Sequence, residues 1–595
     1  MRAKVDAFYK GQLNDAYNLF GSHLTNDGVT FTLYAPNALS VQVVGDFNNW
    51  DGSNYYMSKY DDNIFIITIK EAKEFNRYKY NILKPDNSWH LKADPYAIYS
   101  ETAPNTASII YNLNNYQFDD DNFIKKRTKN YDKPLNIYEL YAGGFMKHYD
   151  NKNYSYSELG DRLIPYIKKH GYTHVEFMPL NEYPFEGSWG YQATGFFSAT
   201  SRYGTPIDLM KLIDRLHQNK IGVIMDIVVV HFVKDAHGLA YFDGKAVYEY
   251  DNENANSEWG SLNFNLSKEE VRSFLISASS FWCDKYHIDG IRLDAISNVI
   301  YWGGNSNRGE NIEGLNFIKR HNYEISNKFP NVMLIAEDST SYPNVTKPTI
   351  DNGLGFDYKW DLGFMNDTLK YYSLPLDDRK DYHNLLTFSM AYFYSERFIL
   401  PFSHDEVVHG KKTIIDKMWG TYQEKFALCK NLYLYMYTHP GKKLNFMGSE
   451  LGMFREFDES KELDFFMLDF QSHNSFNRFI IDLNKIYLHY PILSKYDYNP
   501  ENFRWLDADN NIDSVYTFTR FNKKELFIIV LNNSYKSFEE YIIDNVKNGE
   551  YYELINSEKD IYHGCNMCNF KPIKVTDGKL NIRIAPLSAM ILRKR

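Results

Sequence analysis

The chain has 595 residues, of which 44% are hydrophobic and 24% charged, and carries a net charge of −10. That length is too great for one small core, and the composition is that of a folded, water-soluble protein. The acidic balance weighs against a nucleic-acid or anionic-membrane partner, no stretch is long and apolar enough to span a bilayer, and Met1–Tyr17 has no apolar signal-peptide core, so a cytoplasmic protein is expected.

Residues 1–19 read as an N-terminal segment. Residues 20–115 read as a small β-sandwich. GVTFTLYAPNALSVQVVGDFNNWDG alternates apolar and polar residues and is punctuated by Pro36, Asn37, Gly45 and Asn48-Asn49, and Ile64–Ile69 and Arg77–Leu83 are further strands. Residues 116–134 are polar, charged and end in Pro134, which reads as a connection between domains.

From Leu135 strands and helices alternate. LNIYELYAGG is the first strand. A helix over Ser155–His170 follows, with a Ser155/Glu158 capping box and Gly171 past its end. His174–Leu180 is the second strand, and the next helix has Thr205 as N-cap and Pro206 at its first position. Ile221–Val230 is the third strand, and the helix after it carries a second predicted capping box, Ser267/Glu270. IDGIRLDA, NVMLIAED, GFDYKWDL, ERFILPFSHDE and KLNFMGSELG complete a set of eight. Continuous apolar strands imply burial on both faces, as in a parallel sheet, and eight such units predict a TIM (β/α)8 barrel over 135–490. Alternating runs return from Pro491, so 491–595 is predicted to be an all-β domain. Cys283, Cys429, Cys565 and Cys568 are expected to be reduced thiols. The C-x-x-C pair has no second pair or His pair downstream, so no zinc site is expected, and the chemistry argued below requires no metal.

Polar residues gather where the barrel strands end, the rim on which TIM-barrel enzymes place their chemistry. The third strand ends in Asp226, followed by His231. The fourth ends in Arg292 and Asp294, the fifth in Glu337 and Asp338, and the seventh in His404, Asp405 and Glu406. Each alone has an ordinary structural explanation. Four strands ending in acids on one rim do not, because a buried carboxylate without a partner is costly. The pattern suits retaining glycoside cleavage, which needs a nucleophilic carboxylate and an acid/base carboxyl about 5–5.5 Å apart. Arg292, two residues from Asp294 and on the same face of a strand, would keep that carboxylate ionised for nucleophilic attack. Glu337, set beside other carboxylates, is the better acid. Asp405 would bind sugar hydroxyls and help distort the ring, and His231 and His404 suit hydroxyl hydrogen bonds.

DIVVVH (Asp226–His231), GIRLDA (Gly290–Ala295), IAEDST (Ile335–Thr340) and SHDE (Ser403–Glu406) resemble, in order and context, the conserved regions of the α-amylase superfamily. FTLYAPNA and VQVVGDFNNWDG resemble the sandwich that precedes the barrel in its branching and debranching enzymes. WGYQATGFFSATSRYGTP (Trp189–Pro206), HFVKDAHGLAYFDG (His231–Gly244), EWGSLNFN (Glu258–Asn265), AEDSTSYPNVTKP (Ala336–Pro348), GLGFDYKWDLGFMNDTL (Gly353–Leu369) and FSHDEVVHGKK (Phe402–Lys412) are similar to the bacterial 1,4-α-glucan branching enzymes over nearly the whole chain. The resemblance implies that Asp294 is the nucleophile, Glu337 the acid/base and Asp405 the transition-state stabiliser. It implies that Tyr191, Asp226, His231, Arg292 and His404 bind the sugar at the cleavage subsite. It further implies an α-glucan such as glycogen as the partner, no cofactor, and action as a monomer. The chain departs from the family at ELYAGGF, where His-Leu-Gly-Ser-Trp is usual, and at Asp338, where a second Glu is usual. A debranching or other α-glucan hydrolase would use the same catalytic set. A non-catalytic glucan-binding protein would have no need of it.

Overall fold

All of residues 1–595 are described in the computed structural model. The eight predicted strands close into one parallel barrel in sequential order, the first being Asn136–Leu140, then His174–Phe177, Gly222–Ile227, Gly290–Leu293, Met333–Ala336, Tyr358–Trp360, Phe398–Phe402 and Lys442–Phe446. Every residue of the third, fourth and fifth strands is buried, as expected where helices cover one face of each strand and the barrel core the other. No helix is long and apolar enough to cross a membrane.

The chain forms two compact units, the first made of Met1–Lys129, Tyr141–Arg162 and Glu176–Asp357, the second of Asn130–Leu140, Leu163–Val175 and Tyr358–Arg595.

In the first unit the N-terminal region is a sandwich of two antiparallel sheets. One contains Gly21–Thr25, Gly28–Tyr34, Ser58–Lys59 and Ile64–Ile69; the other contains Ser40–Gly45, Arg77–Leu83, Trp89–Lys92 and Ser108–Ile109. Gly28 must be glycine, since its φ is +121° and a Cβ would meet the Ile69 carbonyl oxygen at 2.2 Å. The sandwich is fastened to the segment 237–243 by polar contacts. Buried Lys92 donates to the carbonyls of Gly238 and Ala240 at 3.0 and 2.7 Å, and Asp243 accepts from the backbone and side chain of Asn37.

The stretch read as a plain connection does more than connect. Its one helical turn is Asp121–Ile124, and the buried carboxylate of Asp120 accepts from His217 Nδ1 at 2.8 Å and His287 Nδ1 at 2.9 Å. Arg127 reaches Asp289 at 3.3 Å, and His217 Nε2 meets the same Asp289 at 3.0 Å. Phe118 stacks on His287 and Phe123 on His217, with centroids 4.0 and 4.4 Å apart. Composition correctly marks the stretch as polar, but its polar groups are spent on the barrel.

Of the three helix starts predicted from capping residues, two form and one does not. Thr205 and Asp208 form a reciprocal cap with Pro206 at the first position, and Ser155 and Glu158 bond each other's backbone N–H. The Ser267/Glu270 box does not form. The helix Glu269–Lys285 begins after Lys268 without a side-chain cap, because Asn265 captures the Ser267 hydroxyl at 2.6 Å and its N–H at 3.1 Å.

In the second unit the helix Tyr422–Thr438 is buried from Leu428 to its end, and the C-terminal region is built on a six-stranded antiparallel sheet. Asn431 on that helix donates to the carbonyls of Asn532 and Ser588, fixing the sheet to it. Phe503–Asp507 and Phe538–Ile543 are strands that the sequence reading did not identify. Each carries outward residues too polar to stand out as an apolar run. All four cysteines are free thiols.

Candidate active site

The first unit supplies six of the eight expected site residues. The third and fourth barrel strands pair in parallel with Asp226 opposite Arg292 and Ile227 opposite Leu293. Both Asp226 and Arg292 are fully buried. The strand ends at Leu293, but Asp294 continues the ladder by donating its N–H to the Ile227 carbonyl at 3.2 Å. The chain then turns sharply at Ala295, whose φ of +50° is left-handed. That turn aims the Ala295 N–H at Glu337 Oε2, 2.6 Å away.

Arg292 is the hub. Its Nη1 donates to Asp226 Oδ2 at 2.9 Å and to Asp294 Oδ1 at 2.8 Å, and its Nη2 lies 3.7 Å from Glu337 Oε2. Burial opposes the guanidinium charge, but the fields of Asp226, Tyr191, Asp294 and Glu337 more than reverse this and hold it far above its usual range. The expectation that Arg292 and Asp294 share one face is met directly. The sequence argument surrounded Glu337 only with carboxylates, whereas the structure adds two donors, Arg292 and the Ala295 N–H.

Tyr191 donates to Asp226 Oδ2 at 2.6 Å. It is delivered by a turn in which Trp189 and Gly190 have φ of +54° and +97°, and a Cβ on Gly190 would meet the Pro179 carbonyl oxygen at 2.3 Å. His231 begins the two-residue strand that pairs with Leu262–Asn263, and its ring lies 4.8 Å from that of Trp259. Burial pushes its imidazole down to about 4, so it is neutral at pH 7 and able both to donate and to accept.

In the second unit the seventh strand, Phe398–Phe402, is followed by a turn holding His404, Asp405 and Glu406. His404 is held between two carboxylates, with Nδ1 at 2.5 Å from Glu139 Oε1 and Nε2 at 3.2 Å from Asp405 Oδ1. Its backbone N–H donates to the other oxygen of Glu139 at 2.9 Å. Burial would depress the imidazole, but Asp405 and Glu139 raise it well above its ordinary value, so it is an imidazolium that orients Asp405. Asp405 itself is half exposed. The sequence reading missed Glu139. Its one signal was an acid inside the apolar strand NIYEL, a position that demands a partner.

The first unit thus offers carboxylates oriented by a guanidinium, with a neutral imidazole and an aromatic ring beside it, and the second a carboxylate paired with an imidazolium. That set suits a polyhydroxylated substrate whose cleavage passes through a cationic transition state.

Barrel and flanking domains are those of the α-amylase superfamily. Family models match in three places: carbohydrate-binding module 48 (isoamylase N-terminal domain) at residues 19–97, the alpha amylase catalytic domain at 160–259, and the alpha amylase C-terminal all-beta domain at 505–595. The fold is shared with a putative alpha amylase from Salmonella typhimurium (TM-score 0.72, 17% identity, 97% of this chain and 99% of that one). It is shared too with a pullulanase from Anoxybacillus sp. LM18-11 complexed with maltotetraose (TM-score 0.75, 18% identity, 100% of this chain and 89% of that one). The chain is 46% identical to the 1,4-alpha-glucan branching enzyme GlgB of Geobacillus stearothermophilus, over 99% of this chain and 95% of that protein. It is 44% identical to the enzyme of the same name from Bacillus subtilis (strain 168), over 99% and 97%. The chain belongs to the 1,4-α-glucan branching enzyme family.

Proposed function

We propose that the protein cuts an α-1,4 bond of a glucan such as glycogen or amylose and transfers the severed chain to a 6-hydroxyl of another glucan, forming an α-1,6 branch. The observation that carries the chemistry is the single guanidinium of Arg292 joining Asp226, Asp294 and Glu337. Full-length identity to branching enzymes supports transfer over hydrolysis.

Asp294, held as an anion by Arg292, attacks the anomeric carbon. The bond from that carbon to O4 breaks as the bond to Asp294 forms, and Glu337 gives its proton to O4. The acceptor hydroxyl then attacks the same carbon, Asp294 departs as a carboxylate, and the hydroxyl proton passes to Glu337. Asp405 binds sugar hydroxyls and favours the distorted ring, steadied by His404. Tyr191 packs on the ring at the cleavage subsite, where Asp226, Arg292, His231 and His404 complete the binding set. The sandwich offers glucan an exposed aromatic pair, Tyr56 and Trp89, with centroids 6.4 Å apart. One copy of the chain contributes every group in this scheme, which is read as that of a cytoplasmic monomer acting without a cofactor.

The test is incubation with amylose. Loss of iodine colour without a matching rise in reducing ends is the expected result. Reducing ends rising in step with the loss of colour would make the protein a hydrolase instead.

A further inference from the structure

Tyr191 is carried by a long loop of the first unit, and side chains far from it in sequence hold that loop in place. Residues 183–194 join the paired strands Asn181–Glu182 and Gly195–Ala199. Within them the single turn Glu186–Ser188 leads into the left-handed pair Trp189 and Gly190, and the Tyr191 N–H then donates to the Ser188 carbonyl at 2.9 Å. A loop of this length has many conformations open to it, so one that presents a binding residue must be tied down.

Two ties meet on one carboxylate. The first is Arg202, whose side chain is only 7% exposed and whose guanidinium lies 3.8 Å from the centroid of the Tyr183 ring. Its Nη1 donates to Glu182 Oε1 at 2.7 Å, where the loop begins, and its Nε to Glu186 Oε2 at 2.7 Å, where the turn begins. The second is Tyr141, whose hydroxyl donates to the other oxygen of Glu186, Oε1, at 2.7 Å. Burial, joined by Tyr203, Tyr183 and Glu186, holds the Tyr141 phenol far above its usual range, so it keeps the proton it donates. Gly143 leaves room for this arrangement, since a Cβ there would lie 2.8 Å from the Tyr203 hydroxyl and 3.1 Å from the Tyr141 ring. Tyr141 and Gly143 both belong to ELYAGGF, the stretch in which this chain departs from the usual His-Leu-Gly-Ser-Trp. Hydrogen bonds to an ionised acceptor are the strong kind, and here one carboxylate takes one from each side.

We propose that Glu186, clasped between Tyr141 and Arg202, is the positioning residue that holds the Tyr191 hydroxyl on Asp226, and so sets the affinity of the cleavage subsite for its sugar. The proposal rests on the reading above, in which Tyr191 and Asp226 bind that sugar. Glu186 serves the loop and not the ligand. Deprived of its two donors, a carboxylate already 42% exposed turns to water, and the turn that delivers Tyr191 loses its anchor. The hydrogen bond from Tyr191 to Asp226, at 2.6 Å, weakens steeply with distance and angle, so a small shift of the loop is felt at the subsite.

The experiment is a double-mutant cycle in the full-length protein, with kcat and KM taken from initial rates at rising amylose. Glu186→Ala should lower kcat/KM about tenfold, chiefly through KM, and Tyr141→Phe, which deletes one hydroxyl, about threefold. Tyr191→Phe removes the hydroxyl that meets Asp226. In protein already carrying it, Glu186→Ala and Tyr141→Phe should each cost less than about twofold, because the contact they protect is gone. A clasp that only stabilises the fold would lower the melting temperature on both backgrounds and leave the factors on kcat/KM equal. Equal factors therefore overturn the proposal and leave the role of Tyr191 intact. Tyr141→Phe carries the cycle by itself should Glu186→Ala fail to fold. Tyr191→Phe with the kcat/KM of the unmodified protein would overturn the reading of Tyr191, and the positioning role of Glu186 with it.

Discussion

Asp226 and Arg292 stand opposite each other on the third and fourth barrel strands, both fully buried, and their side chains meet at 2.9 Å. The same guanidinium nitrogen serves Asp294 at 2.8 Å. A planar fork presents its nitrogens to these carboxylates in a fixed geometry, whereas a lysine ammonium is a single point charge on a flexible stem. Arg292→Met leaves buried Asp226 uncompensated and should destabilise the fold by about 3–5 kcal/mol. Arg292→Lys keeps the charge and should lose far less stability, yet activity should fall in both. Urea unfolding beside the iodine assay separates the two effects. Full activity in the lysine variant would remove the fork from the account.

Asp294→Asn changes one oxygen to an amide and leaves Arg292 with Asp226. Branching should disappear, while the melting temperature should shift by no more than a few degrees, since the buried pair remains. Any retained turnover would sink the nucleophile assignment.

Gly190 places Tyr191. With φ of +97° and 2.3 Å between a built Cβ and the Pro179 carbonyl, Gly190→Ala must move backbone. The strain is of order 1–3 kcal/mol. Because the turn carries Tyr191, KM for glucan should rise along with the loss of stability. A variant destabilised but with unaltered KM would detach Tyr191 from substrate binding.

The clamp of Asp120, His217 and Asp289 makes stability depend on pH. Burial opposes charge on His217, but Asp289 and Asp120 push its imidazole up to about 9. Seen from its partner, burial opposes the charge on Asp120 too, and hydrogen bonds from His217 and His287 hold that carboxyl well below the usual range. A folded pKa above the unfolded value of about 6.5 means that the contribution is complete below that pH and is lost as pH rises through 9. The amount is about 3 kcal/mol for the two carboxylate contacts of His217 together. Unfolding free energies between pH 6 and 10 should therefore fall with pH, and the fall should flatten in His217→Gln.

The parts legible in the sequence are those whose signal is local. Uninterrupted apolar runs such as GVIMDI mark the strands, and Asp294, Glu337 and Asp405 stand where such runs stop. Thr205-Pro206 marks a helix start because the cap needs only residues within three positions. The parts that stayed hidden depend on distance in sequence. His217, Asp120 and His287 are scattered over 167 positions, and nothing in each one's neighbourhood announces the others. Glu139 looks like a blemish in an apolar strand until His404, 265 residues on, is seen to need it. Ser267 failed as a cap because a nearer rival, Asn265, competes for it. Trp259 is distant in sequence from His231, and only a two-strand pairing brings their rings to 4.8 Å.

The left-handed turn at Ala295 has a consequence in time as well as in space. It ties the backbone just beyond Asp294 to the side chain of Glu337, so that the two proposed reacting carboxyl groups share the Arg292 cation while Glu337 alone also takes a peptide N–H. On the proposed mechanism, Asp294 ceases to be an anion when it becomes an ester, and the hold of Arg292 falls to Asp226 and Glu337. At that same moment Glu337, having given up its proton, is itself an anion. The first half-reaction thus prepares the electrostatics of the second: spending the nucleophile's charge frees a counter-ion for the base, and receiving the acceptor's proton returns the counter-ion to the nucleophile.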